Sequence, residues 1–209
     1  MIYSIAHSKG GCGKSLLSLN LAPLIKDLIL IDLDTQNSIT EINKARKKKH
    51  KIKTATNEKE FFNILDQYED NNIIIDCGGI DSDINRLAIA NSDILIIPVK
   101  DNSFEILAFK RFLKVINKIL EKNQELKIFV LLNNVHFSTK DFSRLKEIIN
   151  KQQNNNIKLL KTIIRTRADF ANYLEIGTTV FEKDKKSKAS KEIKSLYKEV
   201  FTNKEQKNG

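Results

Sequence analysis

Short, unbroken apolar runs punctuate this chain, and longer stretches of mixed character separate them. The runs lie at Ile2–His7, Leu28–Asp32, Asn72–Asp76, Asp93–Val99, Lys127–Asn133 and Lys158–Ile163, with a weaker one at Ile52–Thr56. Segments such as "NIIID" and "DILIIPV" show no polar alternation. A strand with one wet face must alternate, whereas a strand covered on both faces need not. These runs are therefore predicted as parallel strands buried between helices. The intervening stretches have helical spacing. Lys14–Lys26 places Leu17, Leu21 and Leu24 on one side; Phe104–Lys122 does so with Phe112, Val115 and Ile119; Thr139–Gln152 does so with Phe142, Leu145 and Ile149. Apolar residues three and four apart make one buried face. Regular strand–helix alternation predicts βαβ units, hence an α/β fold with a mostly parallel, twisted sheet of about seven strands and helices on both faces. Residues 1–203 read as a single domain, and residues 204–209 as a frayed tail.

Composition narrows the setting. At 209 residues and 41% hydrophobic content the chain can bury one substantial core. No apolar run has the length of a membrane span, and the first residues lack the pattern of a secretory signal, so a cytoplasmic protein is expected. Two cysteines, Cys12 and Cys77, form neither a disulfide framework nor a zinc pattern. The net charge of +10, from 36 basic and 26 acidic residues, points to a polyanionic partner. The chain's Ile-, Lys- and Asn-rich usage offers a second explanation, a solvated lysine surface.

The chemistry begins at "AHSKGGCGKSLL". A predicted strand precedes it and a predicted helix follows, with Gly10, Gly11 and Gly13 in the turn. Glycines let consecutive backbone N–H groups converge on phosphate oxygens, and the helix N-terminus adds positive charge. That is the setting of a P-loop. Lys14 would neutralise the β- and γ-phosphates of a nucleotide, and the Ser15 hydroxyl would ligate Mg2+. The common motif has its first glycine where this chain has Ser8. The form here is KGGxGK[ST], with an additional lysine, Lys9. Asp76, at the end of "NIIID" and ahead of Gly78 and Gly79, suits a carboxylate that holds the metal through water. Asp32 and Asp34 end another strand, "LILIDLD", and Asp34 is placed to orient the attacking water close to the metal. Cys12 lies in the loop beside a helix N-terminus, where a thiol is expected to be somewhat acidified and open to alkylation.

In order and spacing, KGGCGKS, IDLDTQNS, IIIDCGG and SDILIIPV resemble the ParA/MinD group of deviant Walker A P-loop ATPases. Within it the chain is most similar to short plasmid-segregating ParA proteins of the ParF kind. The resemblance spans nearly the whole chain, including "IIPVKDNSFEILAF" and "TIIRTRADFANYLEIGTTVFE". It implies a weak, Mg2+-dependent ATPase whose ATP-bound sandwich homodimer binds double-stranded DNA without sequence preference. It also implies stimulation by a small centromere-binding partner of the ParB or ParG kind, and a place on the nucleoid. By the resemblance, Lys9 reaches across the dimer to the other subunit's phosphates and joins Lys14 and Asp34 as the catalytic set. ATP is held by Lys9, Gly10, Gly11, Cys12, Gly13, Lys14, Ser15 and Leu16. Asn133 matches a position that meets the adenine, and Ser15, Asp34 and Asp76 surround the metal. The chain departs from the family at Thr35, where proline is usual, and at Ser15 and Leu16, where threonines are common.

Lysine-rich segments offer DNA contacts. "NKARKKKHKIK" carries no acid, and a second cluster surrounds Lys185, Lys186 and Lys188. The resemblance favours this later cluster together with Arg165 and Arg167. No room remains ahead of the first strand for an operator-reading domain, so sequence-specific repression is not expected. The main alternative is a MinD-like membrane-associated positioning ATPase. It would use "KEIKSLYKEVF" as an amphipathic anchor, although that helix is equally suited to packing on the sheet, and no stable membrane association is expected.

Overall fold

The computed structural model describes residues 1–79 and 82–202. The proposed frayed tail lies outside the described residues. The strands are β1 Ile2–Ile5, β2 Leu28–Asp32, β3 Lys51–Thr54, β4 Asn72–Asp76, β5 Ile94–Val99, β6 Lys127–Val135 and β7 Ile157–Arg165. Among the described residues they form one seven-stranded sheet in the order β3-β2-β4-β1-β5-β6-β7, and every pairing is parallel. The expected strands are all present, the weak one included.

Helices cover both faces: α1 Lys14–Leu21, α2 Ser38–Lys44, α3 Glu58–Gln67, α4 Asp83–Ala90, α5 Ser103–Leu120, α6 Ser143–Asn150, α7 Ala168–Glu175, α8 Val180–Lys183 and α9 Lys188–Phe201. The sheet sorts its side chains by the two-residue period of a strand. In β4, Ile73 and Ile75 enter a core with Phe61, Phe109 and Leu145, while Ile74 points to the other face with Leu17, Ile193 and Leu196. That two-sided demand explains the unbroken apolar runs.

Two helices are shorter than their apolar spacing predicts. The first α-helix stops at Leu21 and passes into a 3-10 turn, Ala22–Leu24, containing Pro23. Proline cannot donate to the ladder and its ring crowds the carbonyl four residues back. The sixth helix starts at Ser143 rather than Thr139, because the Asp141 side chain accepts from the Ser143 N–H at 2.9 Å and turns the chain there. The C-terminal helix α9 packs its apolar face inward, with Ile193, Leu196 and Val200 buried in the same core as α1. No helix among the described residues is long and apolar enough to cross a membrane.

One turn ties two distant parts of the chain together. After α7, Gly177 has φ +68, a conformation natural to glycine, and a Cβ there would lie 2.4 Å from the Ala45 carbonyl oxygen at the end of α2. Gly177→Ala therefore combines backbone strain with a main-chain clash. It is expected to lower stability by about 2–3 kcal/mol in chemical denaturation.

Candidate nucleotide-binding site

Strand register builds the site. Ile5 and Asp32 both stand opposite Asp76, so β1, β4 and β2 end level at one edge of the sheet. The chain leaves β1 at that edge, forms the glycine loop and enters α1. Gly13 caps α1 in the left-handed region at φ 93, and Gly11 has φ 73. The α1 N-terminus is thereby aimed at a cleft of about 860 Å3 lined by Gly10, Gly13, Lys14, Ser15, Asp34 and Asn85, among others. Lys14, Ser15, Asp32 and Asp34 line this cleft, and Asp76 lies buried at the end of β4, opposite Asp32 in the strand register.

Asp76 is fully buried. Its Oδ1 accepts from the Ser18 hydroxyl at 3.2 Å, and its Oδ2 has no partner among the described residues. Burial pushes this carboxyl up to about 7; the Ser15 and Ser18 hydroxyls and the Lys14 charge oppose the rise, while nearby Asp32 adds to it. An orphaned, buried carboxylate oxygen beside a serine hydroxyl is the arrangement a hydrated divalent cation would satisfy. No three His, Cys, Asp or Glu side chains cluster as a metal cage among the described residues. Mg2+ does not require one, because phosphate oxygens and water supply most of its ligands. Asp32 serves the loop instead. Its carboxylate accepts from the Asp34 N–H and from both the N–H and hydroxyl of Thr40, at 3.2, 3.1 and 2.7 Å. Asp34 is half-buried at the cleft, and its Oδ1 accepts from the Gln36 N–H at 3.0 Å. The loop keeps this tight turn with Thr35 in place of proline.

The two loop lysines point different ways. Lys14 is buried, and its ammonium donates to the Lys9 carbonyl at 3.3 Å, spanning the loop where phosphate would lie. Lys9 instead turns towards α5 and donates to Glu105 Oε1 at 2.6 Å. The Lys9 side chain is 42% exposed and that of Glu105 4%. Glu105 had no signal in the motif reading. It sits in the first turn of α5, where its N–H is capped by Asn102. His7 is buried behind the loop, accepts from the Lys9 N–H at 3.1 Å and stacks on Phe112. Burial, reinforced by Lys14 and Lys9 against the opposing Glu105 charge, pulls its pKa down to about 4.

Three expectations change. Cys12 is buried, and its thiol contacts the Lys9 carbonyl at 3.4 Å; burial raises its pKa, outweighing the helix terminus and Lys14, so it is neither acidified nor open to alkylation. Asn133 braces the loop: its amide nitrogen donates to the Cys12 carbonyl at 2.7 Å, and a Cβ on Gly13 would lie 2.4 Å from that nitrogen. Only its Oδ1, buried and without a partner among the described residues, is left for an adenine, so a two-bond contact would first have to break the brace. Arg165 and Arg167 are engaged internally. The Arg165 guanidinium donates to the His136 and Thr139 carbonyls, and that of Arg167 to Glu192. Both border a second, smaller cavity of about 210 Å3 behind the loop, with Leu16, Asn133 and Phe170.

A glycine loop between a buried parallel strand and a helix, with a lysine and a serine at the helix start and a buried aspartate on the neighbouring strand, defines a P-loop nucleotide-binding protein. Residues 3–180 match the CobQ/CobB/MinD/ParA nucleotide binding domain, and the chain belongs to that family. It is 23% identical over 208 residues to "Maintenance of carboxysome distribution protein A" of Halothiobacillus neapolitanus, covering 95% of each chain. Its fold is similar to that of a plasmid partition protein of Borrelia burgdorferi bound to AMPPNP, with TM-score 0.67, 18% identity and coverage of 97% and 98%. It is also similar to that of the MinD cell division protein of Aquifex aeolicus, with TM-score 0.68, 17% identity and 93% of each chain.

Two measurements probe the site. Asp76→Asn removes a buried charge without changing shape, so the nucleotide-free protein should melt higher than wild type, while the stabilisation by Mg2+-ATP should be lost. His7, neutral when folded, should contribute fully above pH 6.5; that contribution is lost as pH falls towards 4, because the unfolded chain takes up the proton first. His7→Asn should flatten the fall in denaturation midpoint across that window.

Proposed function

We propose that this protein is an ATP-dependent DNA-partitioning ATPase that works as a switchable homodimer in the cytoplasm, on the nucleoid. The triphosphate lies in the glycine loop against Lys14 and the α1 N-terminus. The adenosine occupies the smaller cavity, where Asn133 Oδ1 can accept from the adenine amino group. Ser15, and Asp76 through water, hold Mg2+, which shields the phosphate charge. Asp34 orients the attacking water.

The observation that carries the reading is the direction of Lys9. Its ammonium stands outside its own phosphate cleft and beside a surface groove on α5 with Phe104 and Leu107. Phe104 is 79% exposed and Leu107 49%. A lysine so placed can meet the phosphates of a second protomer closing over the cleft. Two facing ATP molecules bring much negative charge together, and a lysine from each side offsets it only when ATP is present. The closed dimer then binds duplex DNA, and a small centromere-bound partner accelerates hydrolysis and release.

The membrane-associated alternative is less well supported. Its anchor would be the apolar face of α9, and Ile193, Leu196 and Val200 of that face are buried in the core.

Lys9→Ala should reduce hydrolysis at saturating ATP by on the order of 100-fold, as loss of one transition-state donor does. Binding of a fluorescent ATP analogue by the protomer should stay within about twofold, since ground-state contacts are retained. Equal loss of both would contradict a role across the dimer. In gel shifts without nucleotide, with ADP and with ATP, wild type should retard DNA only with ATP, and Lys9→Ala in none of the three.

A further inference from the structure

The two lysine-rich segments of the sequence are neighbours in the fold. Arg46 Nη2 donates to both carboxylate oxygens of Glu182, at 2.7 and 2.9 Å, across 136 positions of sequence. Its Nε donates to the Lys48 carbonyl at 3.2 Å. The Arg46 side chain is 1% exposed, so the one arginine of "NKARKKKHKIK" is a fastener and not a surface charge. Gly177 tucks against the Ala45 carbonyl as a second contact between the same segments.

On either side of this fastener the lysines face solvent: Lys47, Lys48 and Lys49 on one, Lys183, Lys185 and Lys186 on the other. The two acids next to these lysines, Glu182 and Asp184, accept hydrogen bonds. Glu182 also accepts from the N–H and hydroxyl of Thr179, and Asp184 Oδ1 caps the Lys186 N–H at 2.8 Å. Among the described residues, none of the six lysines forms an ion pair.

We propose that these two segments make one composite surface for the phosphate backbone of duplex DNA, assembled by the Arg46–Glu182 ion pair. The proposal rests on the DNA-binding reading above and gives it a location. Flexible ammonium groups supply the charge that phosphates need and lack the fixed fork that reads bases. Bases of a single strand would require aromatic platforms. Of the aromatic rings within the segments, Phe181 is only partly exposed and lies under Lys185, and His50 is likewise partly buried. A bilayer would require an apolar insertion face. Beside Gly177 only Ile176 is a large exposed apolar side chain, and the apolar face of α9 is buried. The joint also has a route to the nucleotide. The second helix, α2, starts just after the Asp34 loop and ends at Lys44, next to the Ala45–Arg46 contact.

The test is anisotropy of a labelled random-sequence duplex against salt, with ATP and Mg2+, on full-length protein whose melting temperature is measured in parallel. The triple variants K47A/K48A/K49A and K183A/K185A/K186A should each weaken binding about tenfold or more and each reduce the salt slope by about 2–3. Glu182→Gln removes a negative charge, so charge alone predicts tighter binding; loss of the fastener predicts weaker binding by several-fold. Arg46→Lys keeps the net charge and loses the fork, and should also weaken binding. Wild-type affinity in either triple variant would overturn the composite surface, and tighter binding by Glu182→Gln would overturn the fastener. Binding of wild type to phosphatidylserine vesicles but not to DNA, lost in the same triple variants, would assign the surface to membrane instead. If wild type binds no duplex in any nucleotide state, the DNA reading itself falls, and this proposal with it.

Discussion

A buried carboxylate, one of whose oxygens has no partner among the described residues, lies at the end of β4, and much of the site is arranged around it. Asp76 ends β4, which lies between β2 and β1 in the sheet, with no access to water. Taking a carboxylate out of water costs several kcal/mol unless something compensates it (~1–3 kcal/mol even for a neutral polar group). The nucleotide-free protein supplies only part of that compensation: serine hydroxyls and the Lys14 charge, against an elevated pKa. The remainder of that cost is left uncompensated, and the raised pKa of the carboxyl is its expression.

Register makes this possible. Parallel pairing aligns the ends of β1, β2 and β4, so the glycine loop, the Asp34 turn and a buried acid arrive at one edge without long connections. Around them, secondary contacts hold each element in place. Asp32 fastens the Asp34 turn to the start of α2, Asn133 fastens the glycine loop to β6, and Arg46 fastens the far end of α2 to α8. Each fastener is a buried polar group with a specific partner, and such groups punish alternative arrangements more than they add stability. The second helix, α2, is thus held at both ends.

Much of the fold was legible because two-sided burial leaves a plain mark. Ile73, Ile74 and Ile75 all have to be apolar when alternate residues enter different cores. The loop was legible because its glycines and Lys14 answer to the local geometry of phosphate. Glu105 and Asn133 were not legible in their present roles. A glutamate in the first turn of a helix and an asparagine at a strand end are ordinary residues, and their partners lie 96 and 121 positions away. The internal partners of Arg165, Arg167 and Arg46 were not legible either, since a positive charge in sequence carries no sign of the carboxylate or carbonyl it meets.

By itself, then, the sequence determined what depends on near neighbours along the chain: strand and helix periods, the phosphate loop, the acids at strand ends, and membership of a nucleotide-binding family. Those features obey local sterics and hydrogen bonding, which act within a few residues. The tertiary structure decided which charges are free and which are spent. It paired Lys9 with Glu105 and turned Lys14 inward, sealed Cys12, and brought two lysine clusters together through the buried Arg46. Charge and burial are properties of position in space, and only the packed sheet assigns them.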